Sequence, residues 1–279
     1  MTKNISILSI FGVIALIVVG YNAQKMDLNL QNSSVLTGYT LIAVMLCVAL
    51  LNTRKKLSMI PLGKASSWVV FHVVGGLLCV ALFWVHTNTF WPKGLYEGFL
   101  AGAFYLVSLS GIFGYLIQRL NSRKLTETGI EVIYERIPLE LREIQEKAEE
   151  YIRECTEATG SDVLANHYLN TMVWYFQKPR FYWSTLFGAG NAKVWFRSEG
   201  ASVKRYLSSE ELDYFRRLEE LVELKMLVDT HFVHQNLNKK WLLLHVPLSV
   251  GLVIMALWHL LLVEVYALCS SAMIDLAKK

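Results

Sequence analysis

Five stretches of this chain are apolar enough and long enough to cross a bilayer: Ile5 to Val19, Leu36 to Leu51, Ser67 to His86, Leu95 to Ile117 and Trp241 to about Leu268. A helix rises about 1.5 Å per residue, so a run near twenty residues matches the roughly 30 Å hydrocarbon layer. The first run follows Lys3 and fits a signal peptide or a spanning helix. No small-x-small cleavage pattern stands at the right distance before Gln24 and Lys25, so a retained anchor is the expectation.

Between the fourth and fifth runs the pattern changes. Residues 120–240 are polar, with acidic and basic residues nearly balanced, which predicts a solvated, mainly helical insertion. Pro138 suits the first turn of an amphipathic helix ending near Gly160. Ser161 or Asp162 is placed to cap a second helix running to about Phe176 and stopped by Pro179. Lys193–Arg197 and Ser202–Leu207, separated by Ser198-Glu199-Gly200, predict a short hairpin. Ser208 with Glu211 forms a capping-box pattern that opens a long charged helix. No breaker stands before Trp241, so this helix is expected to run on into the fifth span. The predicted fold is an all-α membrane protein: residues 1–119 hold transmembrane helices one to four, 120–240 the insertion, and 241–279 the fifth helix and its tail.

Composition agrees with that pattern. Hydrophobic residues make up 54% and charged residues 18%, and mean hydropathy is positive, which excludes a wholly soluble globular protein. The formal charge of +4 is modest, and its basic residues gather at span ends, so no nucleic-acid partner is expected. Cys47, Cys79, Cys155 and Cys269 stand apart with no C-x-x-C or C-x-x-C-H, so iron–sulfur, zinc-finger and covalent c-type haem signatures are lacking.

Positive charge also orients the spans. Arg54, Lys55, Lys56 and Lys64 follow the second, Arg119, Arg123 and Lys124 the fourth, and Lys239 and Lys240 precede the fifth. The positive-inside rule then puts the amino terminus and 120–240 in the cytoplasm and the carboxyl terminus outside, which is the periplasm of the bacterial inner membrane expected here.

The candidate chemistry lies in the third and fifth spans. His72 and His86 are fourteen residues apart, as are His245 and His259. Fourteen residues are nearly four turns and about 21 Å of helix, so each pair leaves one face at two depths. His72 is the sixth residue from Ser67 and His245 the fifth from Trp241, and the predicted topology runs both spans the same way. His72 is thereby paired with His245 near the inner face, and His86 with His259 near the outer.

Histidine is costly in hydrocarbon and marks a polar or cofactor-filled interior. A neutral imidazole can give Nε2 to iron while its other nitrogen donates to a helix carbonyl. The expectation is two b-type haems, His72/His245 inner and His86/His259 outer. Iron held by two histidines has no open position and suits electron passage. The competing reading is four unrelated histidines satisfied inside a bundle; equal spacing at matched depths weighs against it.

Several other residues have paired readings. Arg119 could meet inner-haem propionates and Lys93 outer-haem propionates, or both could simply flank the membrane. Gly75, Gly76, Gly98, Gly102, Gly111 and Gly114 could admit a flat porphyrin or only close helix packing. Pro247 should loosen the helix beside His245, and Trp84 and Trp258 are expected to pack. Glu97 and Glu264 could accept a quinol proton near the outer level, or be interfacial carboxylates. His231 and His234 continue the histidine register, as a third haem or metal site or as a solvated pair. His167 reads as structural.

The pairs His72/His86 and His245/His259 on two parallel spans resemble the ligand pattern of di-haem membrane cytochromes, the cytochrome b of bc-type complexes and the ferric reductase and NADPH oxidase transmembrane domains. The ferric reductase arrangement, with ligands on a third and a fifth span, is the closer in topology. The resemblance covers the spans only and implies the four ligands. Nothing after Leu268 resembles a flavin and nicotinamide domain, and Gly188-Ala189-Gly190-Asn191-Ala192-Lys193 lacks a third glycine and reads as a loop.

The expected function is a di-haem cytochrome subunit in the lipid bilayer, carrying electrons between a quinone pool or cytoplasmic donor and a partner redox protein. It would be the electron-transfer subunit of an oxidoreductase complex, with flavin, iron–sulfur or c-type cytochrome partners. Two alternatives stay open: a transmembrane ferric or other metalloreductase, and a haem-free membrane scaffold or sensor.

Overall fold

The computed structural model describes the backbone of residues 2–56 and 64–277, and the side chains of residues 6–51 and 64–270. Every regular element among them is helical. Much of the basic connection after the second span, including the side chains of Arg54, Lys55 and Lys56, lies outside these residues. The chain forms two compact units, Met1–Tyr115 with Leu242–Lys279, and Leu116–Trp241.

The first unit contains α1 (Thr2–Leu28), α2 (Ser33–Lys56), α3 (Ala65–Thr87), and parts of α4 (Leu95–Glu127) and α10 (Ser209–Ala277). Five helices among the described residues are long and apolar enough to cross a membrane, and they carry the five apolar runs. Large side chains such as Phe11, Leu109 and Ile254 face outward. So much exposed apolar surface suits lipid as the surrounding medium. The unit's core joins Leu41 of α2, Cys79, Leu82 and Phe83 of α3, Ala101 and Phe104 of α4, and Leu252 of α10. The Phe83 and Phe104 rings stack with centres 4.3 Å apart. A Cβ on Gly75 would fall 2.6 Å from Val48 Cγ2, so glycine is what lets α3 close on α2. Pro247 sits inside α10 without ending it.

The second unit is built on α5 (Ile137–Thr159). Its buried residues, Ile137, Leu141, Ile144, Ala148, Ile152 and Cys155, recur at helical spacing and form one stripe. Pro138 lies in its first turn, and Gly160 closes it in the left-handed conformation with φ 65°. The next helical run is α6 (Val163–His167), a π-helical turn (Tyr168–Met172) and α7 (Val173–Gln177). It ends before Pro179 as the pattern predicts. Then come α8 (Tyr182–Phe187) and α9 (Asn191–Val203). The capping box forms: Ser208 N–H donates to Glu211 Oε2 at 2.7 Å, and Glu211 N–H to Ser208 Oγ at 3.3 Å. From there α10 runs unbroken to Ala277.

The expected hairpin is absent; α9 covers most of those residues. Phe196, Gly200 and Val203 are buried on one side of α9, and the Phe196 ring stacks on Phe215 of α10. A Cβ on Gly200 would lie 2.8 Å from Phe215 Cζ. The glycine that reads as a turn is thus a packing site within a helix, where tertiary contact overrides a weak local preference.

Lys225 and Asp229 of α10 form an ion pair of 2.6 Å in this core, with the Lys225 side chain 0% exposed. The ammonium also lies 4.0 Å from the centre of the Tyr175 ring. Burial draws Lys225 below the usual amine range and pushes Asp229 up to about 6 despite the neighbouring ammonium. Asp229→Ala leaves a buried cation alone and should cost about 3–5 kcal/mol, whereas Lys225→Met with Asp229→Leu should recover most of that loss. Thermal unfolding in detergent tests this; a double variant no more stable than the single one would contradict it.

Candidate cofactor site

The four span histidines gather as two pairs. At one level the rings of His72 on α3 and His245 on α10 stand with centres 6.4 Å apart and planes at 78°. Two imidazoles bound on opposite sides of one metal through bonds of roughly 2 Å would have ring centres about 6.3 Å apart. His72 Nδ1 is 3.0 Å from the carbonyl of Val48 and donates to it. His245 Nδ1 is 3.2 Å from Ser110 Oγ on α4. An engaged Nδ1 fixes each ring's rotation, and at His72, where Nδ1 must carry the proton, it leaves the Nε2 lone pair available. Ser249 Oγ lies 3.4 Å from His245 Nε2, but it also makes a 2.7 Å hydrogen bond to the His245 carbonyl. That shorter bond commits the hydroxyl proton to the backbone.

The close approach at Gly75 bears directly on this level, because it brings α2, and with it the Val48 carbonyl, against α3. Gly111 also faces the pair: a Cβ there would lie 3.6 Å from His245 Cε1, an ordinary contact. Gly98 and Gly102 serve packing instead, since a Cβ at either would meet the Trp91 ring at 3.2 and 3.3 Å.

At the other level His86 and His259 line one cavity of about 290 Å³, walled by α2, α3, α4 and α10. Its lining is mostly apolar, with Tyr39, Glu97 and Glu264 among its few polar groups. A concave apolar site of roughly 300 Å³ with sparse polar groups is at the small end of cofactor sites. His86 Nδ1 is 3.1 Å from Thr37 Oγ1. That hydroxyl is also within 3.2 Å of the carbonyls of Ser33 and Ser34. Carbonyls only accept, so Thr37 donates to the backbone and accepts from His86 Nδ1–H. The resulting tautomer keeps the Nε2 lone pair that a metal needs. The His259 ring stacks on Tyr96, centres 6.1 Å apart, and Tyr96 is itself fixed by donating to the Met255 carbonyl at 2.8 Å.

Thr37 and Gly38 are functional candidates that the spacing argument missed. A Cβ on Gly38 would sit 3.0 Å from His86 Cε1, so glycine leaves the room in which the imidazole lies against α2. A Thr-Gly pair on an apolar helix carries no periodic signal that would connect it to a histidine on the next one.

The remaining candidates fall as follows. Glu97 and Glu264 both line the second cavity, and Glu264 accepts a hydrogen bond from the Tyr39 hydroxyl. Lys93 is exposed and adjoins Pro92, which lines the same cavity. Arg119 is exposed on α4, within the second unit.

His231 and His234 also belong to the second unit. Among the described residues no three or more histidines, cysteines and carboxylates gather as a metal site. His231 Nε2 bonds Thr128 Oγ1 at 2.9 Å. His234 Nδ1 donates to Asn121 Oδ1 at 2.8 Å, and the Asn121 amide donates to the His234 carbonyl and to Asn238 Oδ1. The pair is buried and tied into a polar latch between α4 and α10, not solvated.

Burial, with Lys124 and His231 nearby, holds His234 down at about 4. The folded protein then binds fewer protons than the unfolded chain between pH 6.5 and 4. This contribution is complete above about 6.5 and fades as pH falls through 4. The difference in melting temperature between the native chain and His234→Gln should therefore shrink from pH 7 to pH 4; a pH-independent difference would contradict it. In comparisons with known proteins, no family model, no curated protein and no solved structure matches this chain.

Proposed function

We propose that this chain is a membrane-integral b-type cytochrome subunit holding two haems, one between His72 and His245 and one between His86 and His259. The observation that carries the reading is the 6.4 Å between the His72 and His245 ring centres. It suits two imidazoles sharing one iron, with both Nδ1 atoms already engaged by Val48 and Ser110. Thr37 engages His86 Nδ1 in the same manner at the second level, where His86 and His259 line one cavity.

Bound iron porphyrin would supply one-electron chemistry. The chain's own contribution is to hold two levels about 21 Å apart along its helices, most of the way across the hydrocarbon layer. At the His86/His259 level the cavity is lined mostly by apolar side chains. Electrons would pass between a quinone pool or cytoplasmic donor and a partner redox protein. In this reading Lys93 would meet a haem propionate at the His86/His259 level, and Glu97 and Glu264, which line the cavity, would take up a proton there.

A reduced-minus-oxidised spectrum of the purified protein should show a b-type α-band with two haems per chain. His72→Ala and His245→Ala should remove the same haem, and His86→Ala and His259→Ala the other. Protein without haem would sink this reading and leave the scaffold. Reduction by quinol supports the electron-transfer subunit, whereas direct reduction of a ferric chelate by the purified chain favours the metalloreductase. Gly38→Val should displace only the haem of the His86/His259 level; loss of both haems, or of neither, would contradict the assignment of Gly38.

A further inference from the structure

The second unit carries a patch that its own packing leaves uncovered. On α8, Trp183 and Phe187 are one helical turn apart and stack with ring centres 6.3 Å apart, yet they are 68% and 76% exposed. Val194, at the start of α9, is 66% exposed. The backbone bounds α8 at both ends. Phe181, which precedes α8, is held in the left-handed region with φ 54°, and its ring lies among Trp174, Tyr175 and Trp195. Gly188 and Gly190, at φ 73° and 66°, close the other end. Glycine adopts such backbone freely, whereas at Phe181 it is costly and is offset by the packing of its ring.

Two observations bear on what would cover the patch. The first is charge. From Lys178 to Arg197 the chain has Lys178, Arg180, Lys193 and Arg197 and no carboxylate, within an insertion where acids otherwise outnumber bases. Lys178, Lys193 and Arg197 are exposed. The second is location within the unit. Within this unit α8 touches α4 and α10 beyond their apolar runs: Lys124, seven residues after the run of α4, donates to the Leu186 carbonyl at 2.9 Å, and Lys240, next to Trp241, lies 5.7 Å from the centre of the Tyr182 ring. Exposed aromatic residues with basic neighbours, at the level where spans leave the hydrocarbon, have the chemistry of an interfacial anchor.

We infer that α8 and the start of α9 rest in the headgroup layer of an anionic lipid surface, with Trp183, Phe187 and Val194 dipping into it and Lys178, Lys193 and Arg197 meeting lipid phosphates. This assignment does not depend on the haem reading. Its test is a nitroxide at Phe187→Cys, in the full chain with its four cysteines replaced by alanine, reconstituted in phosphatidylcholine–phosphatidylglycerol vesicles. A label at Arg142→Cys on exposed α5 serves as the solvated control. Oxygen should collide with the label at 187 several-fold more readily than a water-soluble nickel chelate does, the reverse of position 142. That preference should weaken in phosphatidylcholine alone.

Chelate access equal to that at 142 would overturn the inference. So would shielding from both reagents, which would mean a protein covers the patch, or a preference indifferent to lipid charge. A second measurement keeps the native cysteines: the fluorescence lost in Trp183→Phe should come from a tryptophan quenched by brominated lipid and not by iodide in the water. Iodide quenching of that component would equally refute it.

Discussion

An imidazole on an apolar helix needs a polar partner, and this constraint organises the first unit. A buried polar group left without a partner costs about 1–3 kcal/mol, and three of the four span histidines meet a hydrogen-bonding neighbour on another helix. His72 reaches the Val48 carbonyl, His245 the Ser110 hydroxyl and His86 the Thr37 hydroxyl. Those bonds tie α3 to α2 and α10 to α4. They also fix ring rotation, which a two-histidine metal site requires before any metal arrives. The close approach that Gly75 permits between α3 and α2 serves the same end, by bringing a backbone acceptor to His72.

The second unit meets a similar constraint with different means. Its α5 stripe and the aromatic residues of α6, α7 and α9 form an apolar core around the middle of α10. Into that core α10 carries Lys225, Asp229, His231 and His234, all nearly buried. The ion pair and the Asn121 latch answer most of their bonding needs within the unit. Polar groups so placed restrict the arrangements a helix can adopt, since a slip along its axis would strand a charge. The helix that carries them is the one that bears His245 and His259.

Much of this was legible in the order of residues. The apolar runs located the five long helices, the spacing of His72, His86, His245 and His259 singled out their residues, and the Ser208/Glu211 box and Gly160 marked helix ends. Each signal is local or strictly periodic. The hairpin expectation failed at Gly200 because a glycine flanked by Ser198 and Glu199 reads as a turn until Phe215 is known to press against it. Thr37 and Gly38 were silent for a related reason: their importance lies in a contact with a residue on another helix. His231 and His234 looked like a juxtamembrane pair open to water, and the latch that buries them runs through Asn121, more than a hundred residues earlier.

By itself the sequence determined the mainly helical class, the number of long apolar helices and the spacing of the histidines along them, because hydrophobicity and a 3.6-residue repeat act along one dimension. The tertiary structure decided that His72 faces His245, which ring nitrogens are engaged, and which glycines are close contacts and not turns. Those outcomes depend on distances of a few ångströms between helices far apart in the chain, and no pattern along a single helix encodes them.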